Sequence, residues 1–426
     1  MSRRKEAEAV EQIKDTAMNA GRYFRTFYRW LLVATCVGSI SGLVGSAFHL
    51  TVAWVTGVRT ASSWLIYLMP VGGILIAAIY RLTKMEGAGT NDVIQSIYKG
   101  DKVPTLLIPV IFVATAITHL VGGSAGREGA ALQIGGGIGS KVGRLLGLDD
   151  KDMPIVTLCG MSAVFSALFG TPLTATIFAL EVISVGILHY SAFIPCLVAS
   201  MVAYAISRLL GIAPTHFAVA MEPLDVVMIL RVLILAVVCA VVSIAFCVAV
   251  HKTEKFATSK IKNNYLRAAT GGVIIVALTL LVGSRAYNGA GTDIIESALI
   301  RGDCPDWAFF WKIVFTAVTI GCGFKGGEIV PTFFIGAALG CALGPILGMP
   351  ATFAAAIALV AVFCGAVNCP IASIILSVEM FGSSELIYFA LACGISYMLS
   401  GYFGLYSSQK IIYSKTRAEF INRFAE

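Results

Sequence analysis

Charged side chains are scarce in this chain. Lys, Arg, Asp and Glu account for 13% of its 426 residues and hydrophobic residues for 58%, whereas soluble domains carry about 25% charged residues. An ordinary soluble domain is therefore excluded. Apolar runs that fit membrane helices occur at residues 31–55, 106–121, 226–250 and 388–402. Because backbone polar groups inside a bilayer must be satisfied within the chain, the composition predicts an all-α polytopic membrane protein.

Signals for metal and nucleic-acid binding are missing as well. None of the eleven cysteines belongs to a C-x-x-C pair, so neither a zinc site nor a disulfide framework is indicated. No H-E-x-x-H motif occurs among the five histidines, which disfavours a zinc-type intramembrane enzyme built on Glu128, Glu328 and His119. The net charge of +7 forms no basic patch interleaved with aromatic residues. We expect no metal, no cofactor and no nucleic-acid partner.

The positive charges concentrate instead near the N-terminus. Residues 1–30 contain seven basic side chains: Arg3, Arg4, Lys5, Lys14, Arg22, Arg25 and Arg29. This segment is too long and too charged to begin a signal peptide, and basic residues accumulate on the cytoplasmic side of membrane proteins. We predict a cytoplasmic amphipathic segment at residues 1–30, in a multi-pass protein of the cytoplasmic (inner) membrane with both termini in the cytoplasm.

A glycine-rich stretch at residues 122–139 contains the adjacent pair Arg127 and Glu128. An acid at membrane depth costs about 2.5–3.5 kcal/mol on insertion scales, so it ordinarily faces a cavity or a pathway. A glycine-rich break that opens into a helix presents free N–H groups at a positive dipole end. The stretch predicts an anion site at a broken helix. The alternative is a structural Arg127–Glu128 pair in a tight helix crossing.

The chain repeats itself at an offset of 198 to 202 residues. Residues 289–293 (GAGTD) echo residues 87–91 (GAGTN), and Gly-Glu at 327–328 echoes the Arg-Glu pair at 127–128. The proline and acid at 370 and 379 echo those at 172 and 181. We predict two repeats, at residues 31–212 and 213–426, with the substrate site at their interface near the midplane. The symmetric placement of Glu181 and Glu379 indicates a structural role, either helix capping or pairing with loop cations.

With these motifs assembled, the chain resembles the CLC family of anion channels and anion/proton antiporters. Residues 126–129 match the family's G-R-E-G motif, and residues 87–91 and 326–331 correspond to its G-S-G-I-P and G-G-x-F-x-P elements. Residues 404–407 correspond to its C-terminal tyrosine motif. The resemblance implies two inverted-topology repeats of tilted, partly broken helices, and a homodimer in the lipid bilayer with one pathway per subunit.

Several positions depart from the chloride-transporting members of that family. Ala88 replaces the anion-coordinating serine, and Asn91 replaces a proline. Glu328 stands where an apolar residue is usual, and Val182 occupies the position of the internal proton glutamate. These departures resemble the branch of fluoride/proton antiporters that export fluoride from bacteria. The predicted transported species are fluoride and protons. A chloride/proton antiporter and a passive CLC-type anion channel are the alternatives.

The resemblance also assigns the site. Glu128 is the gating and proton-carrying carboxylate: ionised, it occupies the amide-lined site of the anion, and protonated, it can leave. Backbone N–H groups near Gly129, together with an amide donor and a phenol, would bind the anion. The predicted anion-binding residues are Ala88, Gly89, Asn91, Gly129, Ile329, Val330 and Tyr406.

Two of these side chains have alternative interpretations. Glu328 is either a second proton carrier, since two carboxylates at one site disfavour each other's ionisation, or the partner of Lys325 in a structural ion pair. Tyr406 is either the inner gate or an interfacial tyrosine of the membrane belt.

Overall fold

The computed structural model describes residues 2–100 and 102–426, with side chains described from residue 21 onward. These residues form sixteen α-helices. In chain order they are α1 (Ser2–Ala61), α2 (Met69–Leu82), α3 (Thr90–Lys99), α4 (Leu107–Val121), α5 (Glu128–Leu145), α6 (Met153–Phe169), α7 (Pro172–Glu181), α8 (Phe193–Leu209), α9 (Val226–Lys260), α10 (Asn264–Val282), α11 (Thr292–Glu296), α12 (Ala308–Gly321), α13 (Ile329–Leu343), α14 (Ala351–Val367), α15 (Pro370–Phe381) and α16 (Leu386–Leu399).

Few of these helices could cross a bilayer alone. Among the described residues, five helical stretches are long and apolar enough to do so. Most others are shorter: α7, with ten residues, is about 15 Å long at 1.5 Å per residue, half of the hydrocarbon thickness. The break before it lies at Gly170, in a left-handed conformation with φ of 71°, and Pro172 opens α7 because its missing N–H costs nothing there. The predicted broken helices are therefore present.

Reciprocal contacts relate the first eight helices to the last eight. The N–H of Gly126 donates to the Gly327 carbonyl at 2.6 Å, and the N–H of Gly327 donates back to the Gly126 carbonyl at 2.8 Å. In the same way Gly73 packs against the backbone of Ala268, and Gly272 packs against that of Pro70. When each side of a contact has its counterpart on the other, the two units are related by a two-fold axis.

The two acids that recur in the repeats exchange partners across this axis. Glu379 accepts hydrogen bonds from the N–H groups of Leu173 and Thr174, at 3.0 and 2.8 Å, at the start of α7. Glu181 accepts from the N–H groups of Ile371 and Ala372, at 3.2 and 2.8 Å, at the start of α15. Each carboxylate thus caps the partner repeat's helix, where unpaired N–H groups and the dipole favour an anion. The predicted capping role of both acids is confirmed.

Two large cavities show that the repeats are inverted. The first cavity, of about 470 Å³, includes residues 87–92 after α2. The second cavity, of about 700 Å³, includes Ser63 and Ile66 before α2. Helix α2 therefore runs from the second cavity to the first. Its counterpart α10 runs the opposite way, because Asn264 at its start lines the first cavity and Arg285 after its end lines the second.

A small sheet, which the sequence did not predict, adds to the helical fold. Strand β1 (Ser184–Val185) pairs in parallel with β2 (Lys410–Tyr413), and β2 pairs antiparallel with β3 (Phe420–Phe424). The sheet ties the C-terminal residues to the loop that follows α7. Around Tyr406 this end of the chain packs onto α14, where the N–H of Leu405 donates to the carbonyl of Ala366 at 2.9 Å.

The predicted segment boundaries fall as follows. Residue 30 lies inside α1, so the N-terminal segment continues without a break into the first span. The predicted amphipathic surface of this segment depends largely on residues 1–20, and the side chains of those residues are not among those described. The boundary at 212/213 falls in the non-helical stretch between α8 and α9. The division into these segments stays a prediction.

Candidate anion site between two helix N-termini

Glu128 lies where the N-termini of α5 and α13 meet. It is the first residue of α5, and its side chain is fully buried. Oε2 accepts a hydrogen bond from the N–H of Arg127 at 2.9 Å and a longer one from the N–H of Val330 at 3.4 Å. The second donor belongs to the other repeat. Two positive helix ends therefore face one carboxylate, which is the arrangement that binds an anion.

Arg127 is a weak partner for this carboxylate. Its Nε lies 3.8 Å from Oε1 of Glu128, and the Arg127 side chain is 22% exposed. Oε1 is buried and has no hydrogen-bond partner among the described residues. A tight structural pair would show a short, often bidentate contact. The alternative of a static Arg127–Glu128 pair is therefore poorly supported by the geometry.

Glycine at 126, 129 and 327 allows the two repeats to approach this closely. Around Gly129, an added methyl group would lie 3.1 Å from the carbonyl oxygen of Gly326 and 3.3 Å from Oε2 of Glu328. Any larger side chain at Gly129 would meet the backbone of Gly326 and Gly327, just before α13, and the carboxylate of Glu328. The glycine thus lets Glu328 point back toward the start of α5, close to Glu128.

The first cavity collects most of the remaining predicted residues. Its lining includes Ala88, Gly89, Asn91, Glu328 and Tyr406. The structure thus brings one group of predicted residues together around this cavity. It places the other group, Glu128, Gly129, Ile329 and Val330, at the adjoining helix ends. Their individual roles remain predictions.

Glu328 does not pair with Lys325 in this structure. Glu328 is the residue before α13, and it lines the first cavity. No ion pair within 4.0 Å joins it to Lys325 among the described residues. The Lys325 ammonium lies instead over the ring of Tyr80, 4.6 Å from its centroid. Direct pairing, one of the two interpretations of Glu328, is not the arrangement found.

Tyr406 is not an interfacial residue. It is 2% exposed, and its hydroxyl has no hydrogen-bond partner among the described residues. Its loop is fixed from two sides: His251 Nε2 lies 2.8 Å from the carbonyl oxygen of Gly404, and the N–H of Ser408 donates to Oδ1 of Asn91 at 3.0 Å. Asn91 was expected to offer an amide donor. Its carbonyl oxygen is used to hold the tyrosine loop, which orients the NH₂ group.

Two further polar side chains join the site. Thr90 donates its hydroxyl to the carbonyl oxygen of Gly129 at 3.2 Å, and the amide of Gln133 donates to the Thr90 oxygen at 3.1 Å. Oε1 of Gln133 is buried without a partner among the described residues. Neither residue was predicted. The available signal was helical spacing, because Gln133 lies four residues after Gly129 and so on the same face of α5.

Comparisons with known proteins identify the family to which the chain is similar. The family profile described as voltage gated chloride channel matches residues 72–401. A chloride/fluoride channel protein of Pseudomonas syringae pv. tomato is 35% identical over 396 residues, which are 91% of this chain and 87% of that protein.

Solved structures give the same picture. The crystal structure of a CLC-type fluoride/proton antiporter superposes with a TM-score of 0.88 at 30% identity, covering 90% of this chain and 98% of that one. A slow cyanobacterial chloride/proton antiporter, at 19% identity, shares the fold with a TM-score of 0.73 over 87% of this chain and 94% of that one. The predicted helical fold class is confirmed.

Proposed function

Because this chain belongs to the voltage-gated chloride channel (CLC) family, we propose that it is a fluoride/proton antiporter that exports fluoride across the cytoplasmic membrane. The observation that carries the proposal is the position of Glu128. Its fully buried carboxylate occupies a site formed by N–H groups of two helix ends, and no cation forms a short contact with it. A carboxylate in such a place competes directly with an anion.

Exchange follows from this competition. When Glu128 is ionised, its Oε2 takes the N–H groups of Arg127 and Val330. When it accepts a proton, its charge disappears and the same N–H groups become available to a transported anion. The ionised carboxylate and the anion therefore exclude each other at one place, so anion binding there requires Glu128 to take up a proton, and this links the two ions.

Glu328 is proposed as the second proton carrier. It lines the first cavity together with Glu254 and Asp92, so protons can reach it from acids on that side. Oε2 of Glu328 also faces Gly129, one residue from Glu128. This arrangement supplies a carboxylate on the proton route although Val182 occupies the position of the usual internal glutamate.

Fluoride is preferred to chloride as the substrate for two reasons. Ala88 places no hydroxyl in the first cavity where chloride-transporting relatives carry a serine. The solved structure at 30% identity is named a fluoride/proton antiporter, and the relative at 35% identity is named for both chloride and fluoride. The smaller, more strongly hydrated ion is better served by amide and phenol donors such as those of Asn91 and Tyr406. Chloride/proton exchange and passive conduction are the competing functions.

An enzymatic role is disfavoured by the surroundings of the one serine that fits a nucleophile motif. Residues 122–126 (GGSAG) match the G-x-S-x-G pattern of hydrolases. However, Ser124 Oγ pairs with the hydroxyl of Thr316 at 3.0 Å. Its N–H is bound to Thr319 Oγ1 at 3.1 Å. No described histidine or acid activates it.

The proposal places the first cavity on the cytoplasmic side. Helix α1 begins in the basic N-terminal segment and ends at the second cavity, so positive-inside orientation puts the second cavity outside. The C-terminal residue Glu426 bonds through its carbonyl to the N–H of Gly404 at 3.0 Å, two residues from Tyr406, on the cytoplasmic side. We also propose the homodimer that the family resemblance implies.

The test is anion efflux from proteoliposomes loaded with fluoride or chloride, with external pH recorded in the same vessel. Fluoride efflux coupled to opposite proton movement, with little chloride flux, is expected. Glu128→Gln should abolish the proton signal, whereas Glu419→Gln, which neutralises an exposed acid outside both cavities, should leave it intact. Proton coupling in Glu128→Gln would remove Glu128 from the mechanism. Equal chloride and fluoride fluxes would contradict the assigned substrate.

A further inference from the structure

The second cavity lies outside the site described so far, but it is built from equivalent elements. The last turns of α1 contribute Arg59 to it, and the loop at residues 290–294 contributes its floor. The first cavity is built from the end of α9, including Glu254, and from the equivalent loop at residues 87–92. Inversion of the repeats therefore produces two related cavities on opposite sides. They are joined by α10, which at 19 residues is about 28 Å long.

The Arg59 guanidinium is the unusual feature of the second cavity. It lies beside the backbone of Gly289, where an added methyl group would come within 2.7 Å of Nη1. Its Nε is buried without a hydrogen-bond partner among the described residues. No carboxylate of the described residues lies within 4.0 Å of it. The N–H groups of a partly buried guanidinium normally donate to a carboxylate, a phosphate or a carbonyl. The Arg59 guanidinium is therefore available to a ligand.

The other charges around the cavity are mostly positive. Arg285 lines it on an exposed edge, and Asp293 is the one acid among its lining residues. Beneath the loop, the buried ammonium of Lys312 donates to the carbonyl oxygens of Gly289 and Tyr287, at 2.6 and 3.3 Å. Lys312 therefore lies behind the floor of the cavity with two of its N–H donors occupied. His119 is buried further in, and its Nε2 has no partner among the described residues.

We propose that the second cavity is an anion-binding vestibule in which Arg59 holds a small monovalent anion on its way to or from the Glu128 site. Gly122 lines the cavity and accepts a hydrogen bond from the side chain of Asn288, another lining residue, at 3.1 Å. Glu128 follows six residues later in the chain. Because the cavity is wide, the ion keeps part of its water, so Arg59 binds it weakly enough for release. The identity of the ion as fluoride rests on the proposed function; the anion site itself does not.

The vestibule can be tested without measuring transport. Ser63, on the exposed edge of the cavity, is replaced in a Ser63→Cys variant. Its reaction is followed with two methanethiosulfonate reagents, one carrying a sulfonate and one a trimethylammonium group. The chain without Ser63→Cys serves as the background for the native cysteines. We expect the sulfonate reagent to react faster, and sodium fluoride to slow it in a saturable way beyond the effect of equal sodium gluconate.

Arg59 is then changed in the Ser63→Cys background. Arg59→Gln should lower the ratio of the sulfonate reaction rate to the trimethylammonium reaction rate about five- to tenfold. A positive charge in the same cavity as Ser63 attracts the sulfonate reagent and repels the trimethylammonium reagent, so its loss changes the two rates in opposite directions. Arg59→Gln should also abolish fluoride protection. Arg59→Lys should retain part of both effects. The matched control is Arg81→Gln, which removes an exposed arginine that lies over Tyr265 and outside both cavities.

The outcomes separate this inference from the proposed function. Fluoride protection of equal strength in Arg59→Gln and in Ser63→Cys alone would overturn the vestibule, even if coupled transport is normal. Arg59-dependent protection in a protein that shows no proton coupling would retain the vestibule and overturn the antiporter. Protection by chloride equal to that by fluoride would retain the anion site and shift the question of selectivity to the first cavity.

Discussion

Removing the Glu128 carboxylate should make the protein bind fluoride more tightly. In the present structure this side chain occupies the N–H groups that we assign to the anion. Glu128→Ala deletes the competitor and leaves the N–H groups of Arg127 and Val330 in place, because Glu128 contacts them through its side chain alone. The free N–H groups would then be satisfied by an anion or by water.

The size of the effect follows from the two hydrogen bonds. The Arg127 N–H contact, at 2.9 Å, is a full bond, whereas the Val330 contact, at 3.4 Å, is near the limit. Counting one charge-assisted bond gives about 1.5–3 kcal/mol of competition. At 1.4 kcal/mol per tenfold change, fluoride affinity should rise about ten- to 150-fold. In Glu128→Gln the fluoride affinity should rise less than in Glu128→Ala, because the glutamine amide oxygen can still accept hydrogen bonds from the same N–H groups.

Isothermal titration calorimetry with fluoride on the detergent-solubilised protein measures this directly, at a pH where carboxylates at the surface are ionised. The control is Glu419→Ala, in which an exposed acid is removed far from the site. Wild-type affinity in Glu128→Ala, with an unchanged fold by circular dichroism, would refute the reasoning, since it would mean that Glu128 and the anion do not share donors.

Three other substitutions test separate parts of the structure. Ala88→Ser adds a hydroxyl to the first cavity and should raise chloride flux relative to fluoride in proteoliposomes; an unchanged ratio would place selectivity elsewhere. Glu328→Gln should reduce proton flux while fluoride still moves, and wild-type coupling would return Glu328 to a structural role. Glu379→Gln offers one acceptor oxygen to the two N–H groups of Leu173 and Thr174, so it should lower the free energy of unfolding by about 1.5–3 kcal/mol, visible as an earlier thermal transition; an unchanged midpoint would mean that this cap adds nothing to stability.

The sequence predicted the features that local chemistry encodes. Glycine ends helices α4 and α6 at Gly122 and Gly170, and these interruptions could be predicted, although other glycines, such as Gly135 in α5, lie inside helices. The helix caps formed by Glu181 and Glu379 could also be predicted, because the two acids lie at equivalent positions in the repeats. The N–H groups at the start of a helix in the partner repeat are suitable hydrogen-bond donors for such a carboxylate.

The contacts that complete the site were out of reach, because they join residues far apart in the chain. The side-chain oxygen of Asn91 accepts a hydrogen bond from the N–H of Ser408, 317 positions away. The sequence around either residue contains no pattern that predicts this contact. The ion pair of Lys325 and Glu328 was one of two interpretations that the sequence left open, and it is not found among the described residues. Proximity in sequence suggested an ion pair, but the turn before α13 sends Lys325 toward the ring of Tyr80. Side-chain direction at a chain break is set by the surrounding helices, which a local pattern does not contain.

The two cavities explain how an inverted fold can treat protons and anions differently. Inversion alone would give both sides the same chemistry, since each cavity is formed by one long helix and one copy of the same loop. The two cavities differ in the charged residue that their long helix contributes. Helix α1 supplies Arg59 to the second cavity, and α9 supplies Glu254 to the first. The acids Glu254 and Asp92, which we propose as the source of protons for Glu328, therefore lie on one side of Glu128, and Arg59, whose Nε has no partner among the described residues, lies on the other. In the proposed cycle fluoride passes through both cavities, whereas Glu254 and Asp92 line only the first, so the two cavities would not treat the proton and the anion alike.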